Sequence, residues 1–274
     1  MQEGSSWGMR RFGMRRAGAH GFSCAWKTLL CVALLGASPA FARGESESGT
    51  AEAIASAEAS GRMVHTHYRA IEVVREAMHA DRTMRRDRRV AEWSTLGYGG
   101  QIHVAVLDET SAAIYRAVVS SDGALVAPVE ALTAPTVLSE PERDAAQARR
   151  TALALDASRC GTDYEAVSLP SSVSGQWVVY LFPRPARGVV RLGGSSRVET
   201  EGDAVTAWRP YTRTCIALDP GDNAGAMVVT HLLDPTPTDM HVFWSLWRGM
   251  TLYVTTSETG LWKIESGRIS AVKD

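Results

Sequence analysis

The densest concentration of residues able to do chemistry lies at 230–241, where His231 and His241 bracket Asp234 and Asp239 on a loop stiffened by Pro235 and Pro237. Imidazole and carboxylate together suit Zn²⁺, and a rigid loop can hold three protein ligands near tetrahedral geometry with one position open for water. On that reading His231, Asp239 and His241 are metal ligands, and Asp234 or a sequence-distant glutamate is the base of a metal-dependent hydrolase. The spacing matches no standard zinc signature. The competing reading is a turn capped by Asp234, with both histidines on flanking strands at the sheet surface. A ten-residue separation across a turn need not bring strand positions opposite one another, so the two rings are expected apart.

Other chemical signals are sparse. After residue 42 there is no G-x-G-x-x-G, Walker A, H-E-x-x-H or G-x-S-x-G motif. Gly193-Gly194 reads as a bend rather than a phosphate cradle, because no helix follows. His65 and His67, two apart on a helix, point to different sides and read as surface residues. Arg82, Arg85, Arg86, Arg88 and Arg89 form one basic patch, but Asp81 and Asp87 interleave and no aromatic lies between, which favours a solvated surface. Aromatics gather late in the chain, at Trp208, Tyr211, Phe243, Trp244, Trp247, Tyr253 and Trp262. If one set of the 241–247 run faces solvent, it offers a surface for a partner protein or glycan.

The N-terminus carries an address. Arg10, Arg11, Arg15, Arg16 and Lys27 precede a short apolar run at 28–37, followed by Ala40-Phe41-Ala42. This is the order of a secretory signal peptide, with cleavage expected after Ala42, so residues 1–42 are assigned to the leader. The apolar run is about ten residues, too short to cross a bilayer as a helix, and no later segment reaches eighteen apolar residues. The expected location is therefore periplasmic or secreted, with no integral membrane segment after cleavage. Of the 4 cysteines, Cys24 and Cys31 leave with the leader. Cys160 and Cys215 remain, and in an oxidising compartment a lone pair is most simply a disulfide.

These features must be held by some arrangement of elements. The 274 residues are 45% hydrophobic and 22% charged, proportions that exclude collagen-like, disordered and coiled-coil classes. Once residues 1–42 are set aside, the acids outnumber the bases, which argues against nucleic acid as a partner. Residues 43–60 are small and polar and read as a flexible lead-in. Val64, Tyr68, Ile71, Val74 and Met78 then recur at helical spacing. Period two at 101–107 and 112–119, around Asp108-Glu109-Thr110-Ser111, predicts a hairpin. Ser139, Pro141 and Glu142 spell the capped start of a second helix over 142–156. Strands are expected at 176–182, 188–200, 204–215, 226–233, 240–247, 251–255 and in a last hairpin at 261–272. The class is α+β: N-terminal helices, then a mainly antiparallel β-sheet in the C-terminal half. Residues 61–274 are read as one domain, with a helical annex at 61–156 and a β-rich part at 157–274. No internal repeat is visible.

Two resemblances follow from these motifs. His231 followed by a Pro-, Thr- and Asp-bearing loop resembles the JAB/MPN metalloprotease motif, with Val229 where the first histidine of the pair would stand and Thr238 in place of the serine. The stretches 176–183, 191–194, 230–241 and 261–263 look like uncharacterised exported proteins of Gram-negative bacteria, Xanthomonas relatives among them. That resemblance covers about the last 100 residues and implies an exported setting without an activity. A catalytic constellation needs a nucleophile, a base and an orienting group, and only the 230–241 cluster qualifies. The sequence thus favours a non-enzymatic envelope or secreted interaction protein without a cofactor, with the zinc hydrolase as the alternative.

Overall fold

Helix α1 (Ala40–Ala80) contributes to two of the cores of the fold. The computed structural model describes residues 40–157, 159–186, 188–221, 224–257 and 260–273, with side chains from residue 48 onward. Of the expected leader at 1–42, residues 1–39, with Cys24 and Cys31, lie outside the described residues. Residues 43–60 are not a separate lead-in. They form the first half of α1, because an alanine-rich segment favours helix and its Ile54 and Ala57 pack into the core.

Each half of α1 serves a different core. Ile54, Ala57, Val64 and Tyr68 belong to the larger cluster with Phe182, Phe243 and Trp244. Ala70, Val74 and Met78 cover Ile102, Val104, Val106 and Ile114 instead. Tyr68, Phe182 and Phe243 meet at ring-centroid distances of 4.6–5.9 Å, two of the three pairs edge to face, as ring quadrupoles prefer.

The first sheet follows α1 as a meander of β1 (Glu92–Tyr98), β2 (Gln101–Leu107), β3 (Ala113–Val119) and β4 (Glu130–Thr136). The expected hairpin is β2–β3, its turn closed by Asp108, whose Oδ1 accepts from the amides of Thr110 and Ala112 at 2.9 and 3.0 Å. The region 61–156 is therefore more than a helical annex. Strands β1 and β4 were not expected there; β4, an exposed edge strand, tolerates Pro135. Helix α2 (Glu140–Ala154) begins in the expected capping box, with Glu142 Oε2 accepting from the Ser139 amide at 2.8 Å.

After α2 comes the second sheet, β5 (Tyr164–Pro170), β6 (Gln176–Pro183), β8 (Ser196–Glu201) and β9 (Ala204–Pro210), in the order β5-β6-β8-β9. A helix followed by a four-stranded meander thus occurs twice, although the sequence shows no repeat. Alternation along β6 buries both faces. Trp177, Val179 and Leu181 meet alanines of α2, while Tyr180 and Phe182 join the α1 core. On the α1 side, Arg75 reaches the buried Glu165 of β5 at 2.9 Å.

The expected strand 188–200 breaks at Gly193-Gly194 into β7 (Val190–Arg191) and β8. A Cβ on Gly193 would lie 2.0 Å from the Ile216 amide nitrogen, so only glycine lets the chain pass that segment. Strand β7 pairs instead with β10 (Ala217–Leu218). The Cys160–Cys215 disulfide closes beside this bend, with Cα atoms 5.5 Å apart.

The third sheet is mixed. Strands β11 (Ala226–His231) and β12 (Thr251–Thr256) run parallel, joined through α3 (Asp239–Arg248), and β13 (Gly260–Glu265) and β14 (Arg268–Ala271) complete it antiparallel. The stretch 240–247 is therefore a helix rather than a strand. Apolar residues occupy both alternating sets, so period two carried no information there. The termini decide the matter: Thr238 and His241 form a capping box, and Gly249 ends the helix at φ +67°. The architecture is α+β with predominantly antiparallel sheets, and residues Ala42–Asp274 form one compact unit. No described helix is long and apolar enough to cross a membrane.

Candidate functional site

Register across the second sheet places Val167, Tyr180, Arg197 and Arg209 side by side on β5, β6, β8 and β9. The last three of that row open onto a cleft of about 640 Å³, within the usual range for small-molecule sites. Its opposite wall is α1, presenting Ala53, Ser56, Ser60 and Met63, and its end is the loop 234–239. Gly61 allows this geometry. A Cβ there would lie 2.5 Å from the Asp239 carbonyl oxygen, so its absence lets α1 lie against the start of α3.

At the floor, Asp239 Oδ1 accepts from the Met240 amide at 2.8 Å. The Tyr180 hydroxyl lies between Ser60 and the Asp239 carboxylate. Tyr211 is 2% exposed, and its hydroxyl faces the Asp239 carboxyl. Burial pushes the Asp239 carboxyl above the usual carboxylate range, against the opposing influence of the Tyr211 and Tyr180 hydroxyls and the Met240 amide. Burial and the adjacent Asp239 push the Tyr211 phenol well up. Both tyrosines remain neutral donors.

Above the floor stand the arginines. Arg197 pairs with Glu199, and Arg209 with Asp234. Arg209 also stacks over the Tyr211 ring at 5.6 Å. Burial alone would raise the Asp234 carboxyl; the His231 hydrogen bond and the Arg209 charge hold it below its ordinary value.

The sequence cluster divides between two jobs. His231 and His241 come together, against expectation, with ring centroids 4.7 Å apart. The cause is α3, which folds His241 back over the end of β11. His231 Nε2 is 2.7 Å from Asp234 Oδ2. His241 Nδ1 accepts from the Thr238 amide at 3.1 Å, in the place a glutamate takes in an ordinary capping box. Burial, reinforced by His231, lowers the His241 pKa to about 3, so its ring stays neutral. Asp239 faces the tyrosines instead. Among the described residues, no three His, Cys, Asp or Glu side chains converge as a metal shell. His231, Asp239 and His241 thus do not assemble as a zinc site, and Asp234 is engaged by His231 and Arg209.

Other expectations resolve similarly. Phe243 and Trp244 are fully buried, and the half-buried Trp247 donates its Nε1–H to Glu72 Oε1 at 3.3 Å, so two of the three aromatics of the 241–247 run belong to the core. Trp208 is 44% exposed, but it pairs with Val198 on the α2 side of the sheet, away from the cleft. His67 is buried rather than at the surface, with Nδ1 2.9 Å from Thr95 Oγ1. In the arginine patch, Asp87 takes Arg89 and the Tyr115 hydroxyl, and Arg82, Arg85 and Arg86 stay largely solvated.

Sequence reasoning missed Tyr180, Arg197, Arg209 and Ser60 altogether. The one signal available was strand alternation, which places Tyr180 and Arg197 on chosen faces but does not say that the faces coincide. Comparisons with family models, with curated proteins and with solved structures found no match.

Proposed function

We propose that this chain is an exported, non-enzymatic interaction protein of the cell envelope or its surroundings, and that the cleft between α1 and the second sheet receives its partner. One observation carries the reading: an open polar cleft whose floor gathers Tyr180, Tyr211 and Asp239 beside Arg197 and Arg209. The leader chemistry of residues 1–42 and the Cys160–Cys215 disulfide support export to an oxidising compartment. The absence of catalysis is read from the arrangement. The Thr238 hydroxyl and His241 are spent on capping α3, and Asp234 is engaged by His231 and Arg209.

The reading is tested by equilibrium binding of neutral oligosaccharides, acidic saccharides and dipeptides to the wild type and to Ser56→Trp, which fills the cleft from the α1 side. At least one class binds the wild type, is lost in the variant and is recovered chemically unchanged. Equal binding by both proteins, turnover of the bound compound, or binding of no class contradicts the reading. Export is checked by N-terminal sequencing: the mature chain begins at Arg43, and an intact leader on protein recovered from the cytosol contradicts it.

A further inference from the structure

The structure assigns the cleft an acidic saccharide as ligand, its carboxylate or phosphate held between Arg197 and Arg209 and its hydroxyls by the floor; this deepens the preceding proposal and rests on it. The Arg197–Arg209 pair points to the anion. These residues are direct partners across β8 and β9, an arrangement that disfavours like charges. Their side chains are 34% and 46% exposed, and each shows one acid partner among the described residues, which leaves further N–H donors for the cleft. An anion bridging two guanidiniums is a favourable occupant, because planar forks bind carboxylate and phosphate in bidentate fashion.

The floor identifies the rest of the ligand. The Tyr211, Tyr180 and Ser60 hydroxyls and the Asp239 carboxyl bring donors and acceptors together within one small area. An acyl chain or an apolar side chain would strand them. Vicinal hydroxyls, each donor and acceptor at once, satisfy both kinds. A ligand that joins an anionic group to a hydroxyl-rich ring meets both halves of the site.

The test is calorimetric titration of the exported, disulfide-bonded protein with three probes: oligogalacturonate, its fully methyl-esterified neutral counterpart, and glucose 6-phosphate. One or both acidic probes bind at least about tenfold more tightly than the neutral one, and which of them does so separates carboxylate from phosphate recognition. Arg197→Met removes that margin. Tyr211→Phe weakens binding of acidic and neutral probes alike by a factor of roughly 3–10, since it deletes a hydroxyl contact and leaves the anion pair. Cooperative thermal transitions show both variants folded. Equal affinity for esterified and free acid overturns the anion assignment and leaves the cleft as a binding site. Dipeptide binding in the cleft without saccharide binding overturns the ligand class only. If no saccharide or dipeptide binds, both this inference and the proposed function fall.

Discussion

Arg197 and Arg209 stand directly opposite one another on β8 and β9, two positive charges in register on the face that lines the cleft. Glu199 and Asp234 each neutralise one of them from the side. The sheet would be served as well by a threonine or valine pair at these positions. A locally unfavourable pairing of this kind is characteristic of sites kept for binding rather than for folding.

Tyr211→Phe should cost about 1–3 kcal/mol, because it removes the hydroxyl that faces the buried Asp239 carboxyl. Urea denaturation of the two proteins measures this. A loss below about 0.5 kcal/mol would show that the hydroxyl makes no bond to Asp239.

Asp239→Asn should change stability with a defined pH sign. Folding raises the pKa of this carboxyl above the ordinary value of 3.8, so the folded chain holds the proton more tightly than the unfolded chain. The protonated form's advantage is fully present below that ordinary value and is lost as pH rises through the folded value. Asparagine keeps the neutral form at every pH and retains an oxygen for the Met240 amide. The variant's melting midpoint should exceed the wild type's at about pH 7, and the gain should shrink toward about pH 3. A gain independent of pH would contradict the burial of this carboxyl.

His241→Gln should do the reverse. Burial lowers the imidazole pKa from 6.5 to about 3, so between those values the unfolded chain binds the extra proton and the fold loses stability on acidification. The loss is at most about 1.4 kcal/mol per pH unit in that window. Glutamine is a natural capping-box residue at this position and does not titrate. Its variant should show a shallower fall in denaturation free energy below about pH 6.5, with His67, lowered to about 4, still contributing the same sign. An unchanged slope would show that His241 is not held neutral.

Much of the scaffold was legible in the sequence because its signals are local. The Ser139–Glu142 capping box, the Asp108 turn and the alternation of β6 each specify structure within a few residues. The failures are also physical. Residues 240–247 are apolar on every side because α3 is enclosed between α1, β12 and β13, so neither period stood out. His241 hid a capping box by standing where a glutamate is usual. The lead-in at 43–60 looked too polar for the interior, yet only its Ile54 and Ala57 need burial to hold the helix. The cleft was least visible, since Ser60, Tyr180, Arg197, Arg209 and Asp239 come from five separate elements. Only the register of β6, β8 and β9 and the Gly61 contact bring them together.

The Cys160–Cys215 bridge spans 55 residues and includes most of the second sheet and the Gly193-Gly194 bend. Replacing both cysteines with serine should cost about 3–4 kcal/mol on the loop-entropy model. Chemical denaturation of the double variant against the oxidised wild type measures the loss. A difference below about 1 kcal/mol would mean that the reduced chain already confines this loop.

The central claim is that the cleft floor meets a ligand, and tyrosine resonances report on it residue by residue. With ¹³C-labelled tyrosine, titration with oligogalacturonate should move the Tyr180 and Tyr211 ring signals along a single saturable isotherm and leave the solvent-exposed Tyr98 unmoved. Shifts at Tyr98 without shifts at Tyr180 and Tyr211, or no tyrosine shift at saturating probe, would contradict the account.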